Sequence, residues 1–222
     1  HTAFGTAMHE VCEKKLLKEN IDDKKVFQLG FDKELQKLAS KNIEVKESNV
    51  EQMRGAGPEI LAEVEDALED YFGSYSVFST EEKLYLEIEN FGYKFKGFID
   101  AVVKVGNTYH IFDWKTCSWG WDSRRKAEKM VTYQLTLYKH FFCEKHGIDP
   151  ENVETHFALL KRTAKKDRVE IFRVTSGNRK TENALKVLYQ AIYNIQKGVS
   201  IKNRLNCRTP YPCSLYNTEH CR

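Results

Sequence analysis

A chain of 222 residues, 41% hydrophobic and 12% aromatic, is long enough for one sizeable core and too apolar to be disordered. Its 35 basic and 32 acidic residues leave a net charge of +3, which neither requires nor forbids nucleic acid, so the placement of the basic side chains has to decide. No apolar run is long enough to span a bilayer, and six cysteines are too sparse for a secreted disulfide scaffold, which points to a soluble protein in a reducing, cytoplasmic setting. The first residue is His1 and not Met, which leaves an upstream segment, a signal peptide included, open.

In chain order, Ala7, Met8, Val11 and Leu16 fall roughly on one side of a helix predicted over 5–19. Residues 20–57 are charged and weakly patterned, and the expectation there is one short helix near 31–39 and a mobile connection. Pro58 is read as a helix start, since Ile60, Leu61, Val64, Leu68 and Tyr71 follow helical spacing up to Gly73. The period then changes: 77–90 and 93–104 read as strands, Gly106-Asn107 as a tight turn, and 108–115 as a third strand closing an antiparallel meander. A long helix is expected over 123–146, ended by Gly147 and Pro150. Two strands at 153–161 and 168–175 and a helix over 179–197 complete an α/β fold, a central mixed β-sheet flanked by helices. Residues 1–200 are taken as one domain and 201–222 as a cysteine-containing tail.

The chemistry concentrates in Gly97-Phe98-Ile99-Asp100 and, after twelve intervening residues, Asp113-Trp114-Lys115. Side chains two apart on a strand face the same way, so Asp113 and Lys115 point together and Trp114 points away. The turn at Gly106-Asn107 would bring Asp100 beside Asp113. Two carboxylates among apolar neighbours such as Ile99, Val102, Ile111 and Phe112 are costly to bury unless a cation joins them. Oxygen ligands suit Mg²⁺ or Mn²⁺. Taken alone, a D-x(n)-D-x-K string occurs often by chance; the apolar setting is what raises it above a surface hairpin.

These residues resemble the PD-(D/E)XK nuclease superfamily, in particular the RecB-like exonuclease branch related to the CRISPR-associated adaptation nucleases. Gly5-Thr6-Ala7-Met8-His9-Glu10 resembles the branch's first helix motif, Gly97-x-x-Asp100 its second, and Gln134-Leu135-Thr136-Leu137-Tyr138 its Q-x-x-x-Y helix, all in the expected order. The resemblance implies a restriction-endonuclease-like core and a metal-dependent deoxyribonuclease, most often an exonuclease, serving DNA recombination, repair or replication in a bacterial or virus-infected cell. It implies that His9, Asp100, Asp113 and the Trp114 carbonyl hold Mg²⁺ or Mn²⁺, that Lys115 orients water, and that Gln134 and Tyr138 brace the site or touch the substrate. Asp113 stands where glutamate is commoner. A helicase or recombination protein is the partner the branch suggests; a non-catalytic DNA-binding subunit of a helicase–nuclease complex is the alternative. No G-x-x-x-x-G-K-[ST] loop is present in the sequence, so an ATP motor would be another chain.

Arg124, Arg125, Lys126 and Lys129 open the helix after the catalytic strand and are candidate phosphate contacts. Trp119 and Trp121 either stack on unpaired bases or pack as a lid on the core. Cys207, Cys213 and Cys221 have three readings: an iron–sulfur cluster as the branch suggests, zinc with His220, or free thiols. The branch's usual C-x2-C step is absent, its fourth cysteine would precede the His9 helix, and Cys12 within that helix is a poor substitute.

Overall fold

The computed structural model describes residues 1–199 together with Cys213, Leu215, Tyr216, Thr218 and Glu219. They fall in two compact units, His1–Ala184 and Leu185–Arg222. The first unit contains helices α1 (Thr2–Leu16), α2 (Asp23–Ser40), α3 (Glu47–Leu61) and α4 (Val64–Phe72), followed by strands β1 (Ser76–Ile88), β2 (Tyr93–Val105) and β3 (Thr108–Cys117). Helices α5 (Ser123–Lys126) and α6 (Lys129–His146) lead into β4 (Val153–Lys161) and β5 (Val169–Val174). The boundary between the units runs through α7 (Asn178–Gln196).

The five strands lie in the order β1-β2-β3-β4-β5. β1, β2 and β3 form the expected antiparallel meander, β4 joins β3 in parallel, and β5 returns antiparallel to β4. The parallel step requires a crossover, which α6 supplies. The sheet is therefore mixed and flanked by helices, an α/β architecture consistent with a restriction-endonuclease-like core.

Alternation along the strands divides the core in two. Ala101, Val103, Phe112, Trp114, Ala158 and Leu160 face α1–α4 and pack with Phe4, Met8, Phe27, Phe31, Ile60 and Leu68 in one cluster. Ile111, Asp113 and Lys115 take the opposite side of β3, where Gln134 of α6 reaches Asp113.

The segment 20–57 corrects the sequence expectation. It holds two full helices, α2 and α3, where one short helix and a mobile connection were expected. Asp22 caps α2 by accepting a hydrogen bond from the Lys25 backbone N–H at 3.0 Å. Only Phe27 and Phe31 of α2 are buried, too few for a clear apolar stripe in the sequence. Their rings stack on each other and meet Phe4 edge-on, and Gly57 of α3 admits them: a Cβ there would come within 2.3 Å of the Phe27 ring. Pro58 lies inside α3 and does not begin a helix. Burial of Met53, Ala56, Ile60 and Leu61 offsets the hydrogen bond that proline removes. The helix expected over 123–146 is interrupted between α5 and α6, where Glu128 takes an extended conformation.

Candidate active site

β2 and β3 pair from Val105–Thr108 as far as Ala101–Phe112, and the pairing stops there. Asp100 and Asp113 are the next residues on the two strands. In place of a further strand–strand bond, Asp100 Oδ2 accepts the Trp114 backbone N–H at 2.7 Å. The same oxygen lies 3.5 Å from His9 Nδ1 on α1. The Asp100 side chain thus replaces a ladder partner at the point where the strands part, and draws the N-terminal helix to the opening.

Asp113 is buried, with 2% of its surface exposed. Its Oδ1 accepts a hydrogen bond from Gln134 Nε2 at 3.0 Å, and Gln134 Nε2 also donates to Tyr138 Oη at 3.1 Å. Gln134 and Tyr138 are one helical turn apart on α6, which aims both at the strand. Tyr138 gains its place through Gly97, where a Cβ would meet the Tyr138 ring at 2.8 Å. The glycine of the Gly97-x-x-Asp100 motif is thereby explained by space and not by backbone freedom. Lys115 Nζ stands 2.6 Å from Asp113 Oδ2, a charge contact that lies off the hydrogen-bonding direction and leaves this buried oxygen without an aligned donor. Burial first, and then the charge of Asp100, push the Asp113 carboxyl up from 3.8 to about 6, against the opposing pull of Lys115 and His9. For His9, burial favours the neutral ring, but the hydrogen bond and charge of Asp100 outweigh it and raise the pKa above 6.5.

Two further acids belong to this neighbourhood. Glu81 of β1 lies between Thr80 and Glu82, which pair with Ala101 and Ile99, so it stands across from Asp100. It adopts a left-handed φ of 46° within a strand. Its pKa is raised by burial, then by the charges of Asp100 and Glu13. Glu13 accepts the Thr80 hydroxyl at 2.8 Å. Glu13 follows His9 by one helical turn, a spacing legible in the sequence; Glu81 reaches the site only through the β1–β2 register, for which no local pattern exists.

The remaining candidates separate by environment. Trp121 packs against Phe157 at 5.1 Å and Phe172 at 6.1 Å, with the Arg125 guanidinium 5.0 Å above its ring. Phe157 in turn lies 5.9 Å beneath Lys115 Nζ, so one aromatic layer connects the lysine to the basic helix start. Trp119 is 74% exposed. Arg124 and Lys129 are exposed, while Lys126 is paired with Glu170 and lies over Phe172. Trp114 is buried edge-to-face on Phe112. Cys12 is buried in α1, where the apolar surroundings raise its pKa far above that of a free thiol, and Cys213 is exposed and free. Cys207 and Cys221 lie outside the described residues.

The oxygen-rich donor set fits a hard divalent cation: a buried carboxylate oxygen without an aligned donor, beside a second carboxylate whose charge keeps the first from ionising freely. His9, Asp100 and Asp113 are nevertheless not drawn into one tight group. Among the described residues the one trio of His, Cys, Asp or Glu with ligand atoms all within 4.8 Å of one another is elsewhere, His110, Glu154 and His156. Asp100 is held by Trp114 and His9, and Asp113 by Gln134 and Lys115.

The family described as the PD-(D/E)XK nuclease superfamily matches residues 1–217. No curated protein matches the chain. Among solved structures, a candidate exonuclease from Eubacterium rectale is similar at 17% identity, with 86% of this chain and 74% of that one covered and a TM-score of 0.49. The structure of SSO0001 is similar at 14% identity, with 80% and 84% covered and a TM-score of 0.35. No helix is long and apolar enough to cross a membrane among the described residues.

Proposed function

The chain belongs to the PD-(D/E)XK nuclease superfamily, and from that premise we propose that it hydrolyses phosphodiester bonds in DNA, with Asp100, Asp113 and Lys115 at the reacting phosphate. The observation that carries this reading is the convergence of Lys115 and Gln134, the latter also bonded to Tyr138, on one buried carboxylate, Asp113, at the point where β2 and β3 part. Buried charge of this kind costs folding free energy, and a binding surface for phosphate has no use for it.

Asp100 and Asp113, with His9, would hold Mg²⁺ or Mn²⁺. When bound, the cation supplies charge neutralisation at the scissile phosphate. Gln134, itself in contact with Tyr138, fixes the Asp113 carboxylate through Oδ1 and leaves Oδ2 for the site. Lys115 presents an ammonium at the carboxylate edge, where it can orient the attacking water and stabilise negative charge developing on the phosphate oxygens. Water oxygen adds to phosphorus and releases a proton to solvent, the P–O bond to the leaving sugar oxygen breaks, and that oxygen takes up a proton from solvent.

Substrate positioning would fall to the surface beyond Phe157. Arg124 and Lys129 are free to meet phosphates, Arg125 sits over Trp121, and the exposed Trp119 is a platform for an unpaired base. Trp121 and Lys126 serve this surface from beneath, the first as packing and the second through its pair with Glu170. Stacking on Trp119 favours a single-stranded end, and hence exonuclease action.

End-labelled linear single- and double-stranded DNA and a closed circle, incubated with Mg²⁺, Mn²⁺ or EDTA beside Asp113→Ala and Lys115→Ala, test the reading. Metal-dependent release of label that both substitutions abolish is the expected result, with the circle spared if ends are required. DNA binding without cleavage under any metal would overturn the enzyme reading in favour of a binding subunit.

A further inference from the structure

The even-numbered face of β3 carries a second polar group, remote from Asp113 by strand alternation. His110 of β3 pairs in register with Glu154 of β4, and His156 lies two residues on, so all three side chains share the face that packs on α1–α4. His110 Nδ1 is 3.0 Å from His156 Nε2. Glu154 Oε2 is 3.7 Å from the first nitrogen and 3.9 Å from the second. Arg173 engages the other carboxylate oxygen, Oε1, at 2.9 Å and so holds Oε2 toward the imidazoles. On the far side of His156, Nδ1 meets the Tyr71 hydroxyl of α4 at 3.2 Å. With Nδ1–H donating to that hydroxyl, the Nε2 lone pair points into the trio. The Phe72 ring closes one side, 5.1 Å from His110 and 5.4 Å from His156.

We propose that His110, Glu154 and His156 form a second metal site, for one Zn²⁺ ion, which fastens the end of α4 to β3 and β4. Two imidazoles and one carboxylate are the ligand set of a borderline cation and not of Mg²⁺. Zinc–nitrogen bonds of about 2.0–2.1 Å at tetrahedral angles separate two ligand nitrogens by about 3.3 Å, so the present 3.0 Å spacing needs only a small opening. The Tyr71 contact is the outer partner that fixes a ligating histidine's tautomer and orientation, and the Phe72 wall keeps water from that side. Glu154, partly exposed, gives the approach from solvent and leaves a fourth position to water. Burial keeps both rings neutral, so no proton has to leave; His110 has only to move its proton from Nδ1 to Nε2. Without zinc the same two rings share one hydrogen bond, the competing account.

Zinc content after EDTA treatment, zinc loading and desalting separates the accounts. The protein is compared with Asp100→Asn/Asp113→Asn, with that variant carrying His110→Ala, and with it carrying Glu154→Gln. One zinc per chain in the double variant, with affinity reduced at least tenfold by either added substitution, is expected. Cobalt in place of zinc should give strong visible d–d bands without a thiolate charge-transfer band. Zinc should also raise the melting temperature of the double variant and not that of its His110→Ala derivative. No zinc in the double variant, full retention after His110→Ala, or a thiolate band that assigns the ion to the cysteines would overturn the proposal. His156 is wholly buried, so its substitution is not the deciding variant. None of these readings depends on DNA cleavage, so the nuclease proposal and this one can fail separately.

Discussion

β3 and β4 carry ionisable groups on both faces of the sheet, and the two faces treat them differently. On one, Asp113 is an acid forced toward neutrality, its carboxyl pushed up to about 6 by burial and by Asp100. On the other, His156 is a base forced toward neutrality, lowered to about 3 by burial first and then by His110 and Arg173. Burial drives both the same way, toward the uncharged form, but because one group is an acid and the other a base, the two faces respond to acid with opposite sign. Asp113 favours the folded state most fully below pH 3.8 and loses that contribution as pH rises through about 6. His156 costs nothing above 6.5 and withdraws stability as pH falls from 6.5 toward about 3.

The sharpest way to break this comparison is on the Asp113 side. Lys115→Ala should lower DNA cleavage by about 10³-fold or more, while the melting temperature changes little; a mild loss of rate would make the lysine a structural counter-ion. Next comes the histidine face. In EDTA, denaturant midpoints between pH 7.5 and 4 should report a loss on the order of 3 kcal/mol that His156→Gln abolishes from the slope, whatever it does to the absolute value. Asp113→Asn should do the opposite, stabilising the metal-free protein at pH 7.5 by on the order of 2 kcal/mol and erasing the titration near pH 6. An unchanged profile would mean that Lys115 already compensates the charge in full. Gln134→Ala should cost about 10- to 100-fold in cleavage by releasing the Asp113 carboxylate, with Tyr138→Phe milder. Trp119→Ala is expected to have the smallest effect, a loss of about 1 kcal/mol in single-stranded DNA binding, read by fluorescence titration, with the rate on saturating DNA preserved.

What could be read in advance follows the same division. Asp113 and Lys115 are two apart on a strand, Gln134 and Tyr138 four apart on a helix, and Asp100 precedes a Gly106-Asn107 hairpin, so each relation is local and periodic. The structure brings all five together. His110 and His156 are separated by 46 residues and meet only because β4 aligns in parallel with β3, an alignment no short pattern encodes. Glu81 escaped for the same reason, being set by the β1–β2 register. The segment of α2 and α3 failed differently: α2 was read too short because it buries only Phe27 and Phe31, and the fit of Phe27 over Gly57 of α3 is invisible in either helix alone. Trp119 and Trp121 could not be separated in advance, since loop side chains have no period; the structure packs the second, half-buried, against Phe157 and leaves the first exposed.

The central position of β3 has a consequence for how the chain reaches this state. β3 pairs early with its sequence neighbour β2, but its other side waits for β4, which arrives only after the whole of α6 has been made and folded back. Until then β3, which buries Ile111 through Trp114 in the finished fold, has a bare hydrogen-bonding edge, open to pairing with a second copy. Such non-local closure is slow compared with hairpin formation. A chain interrupted before residue 153 would therefore hold every carboxylate of the candidate active site and still be a candidate for aggregation rather than for partial activity.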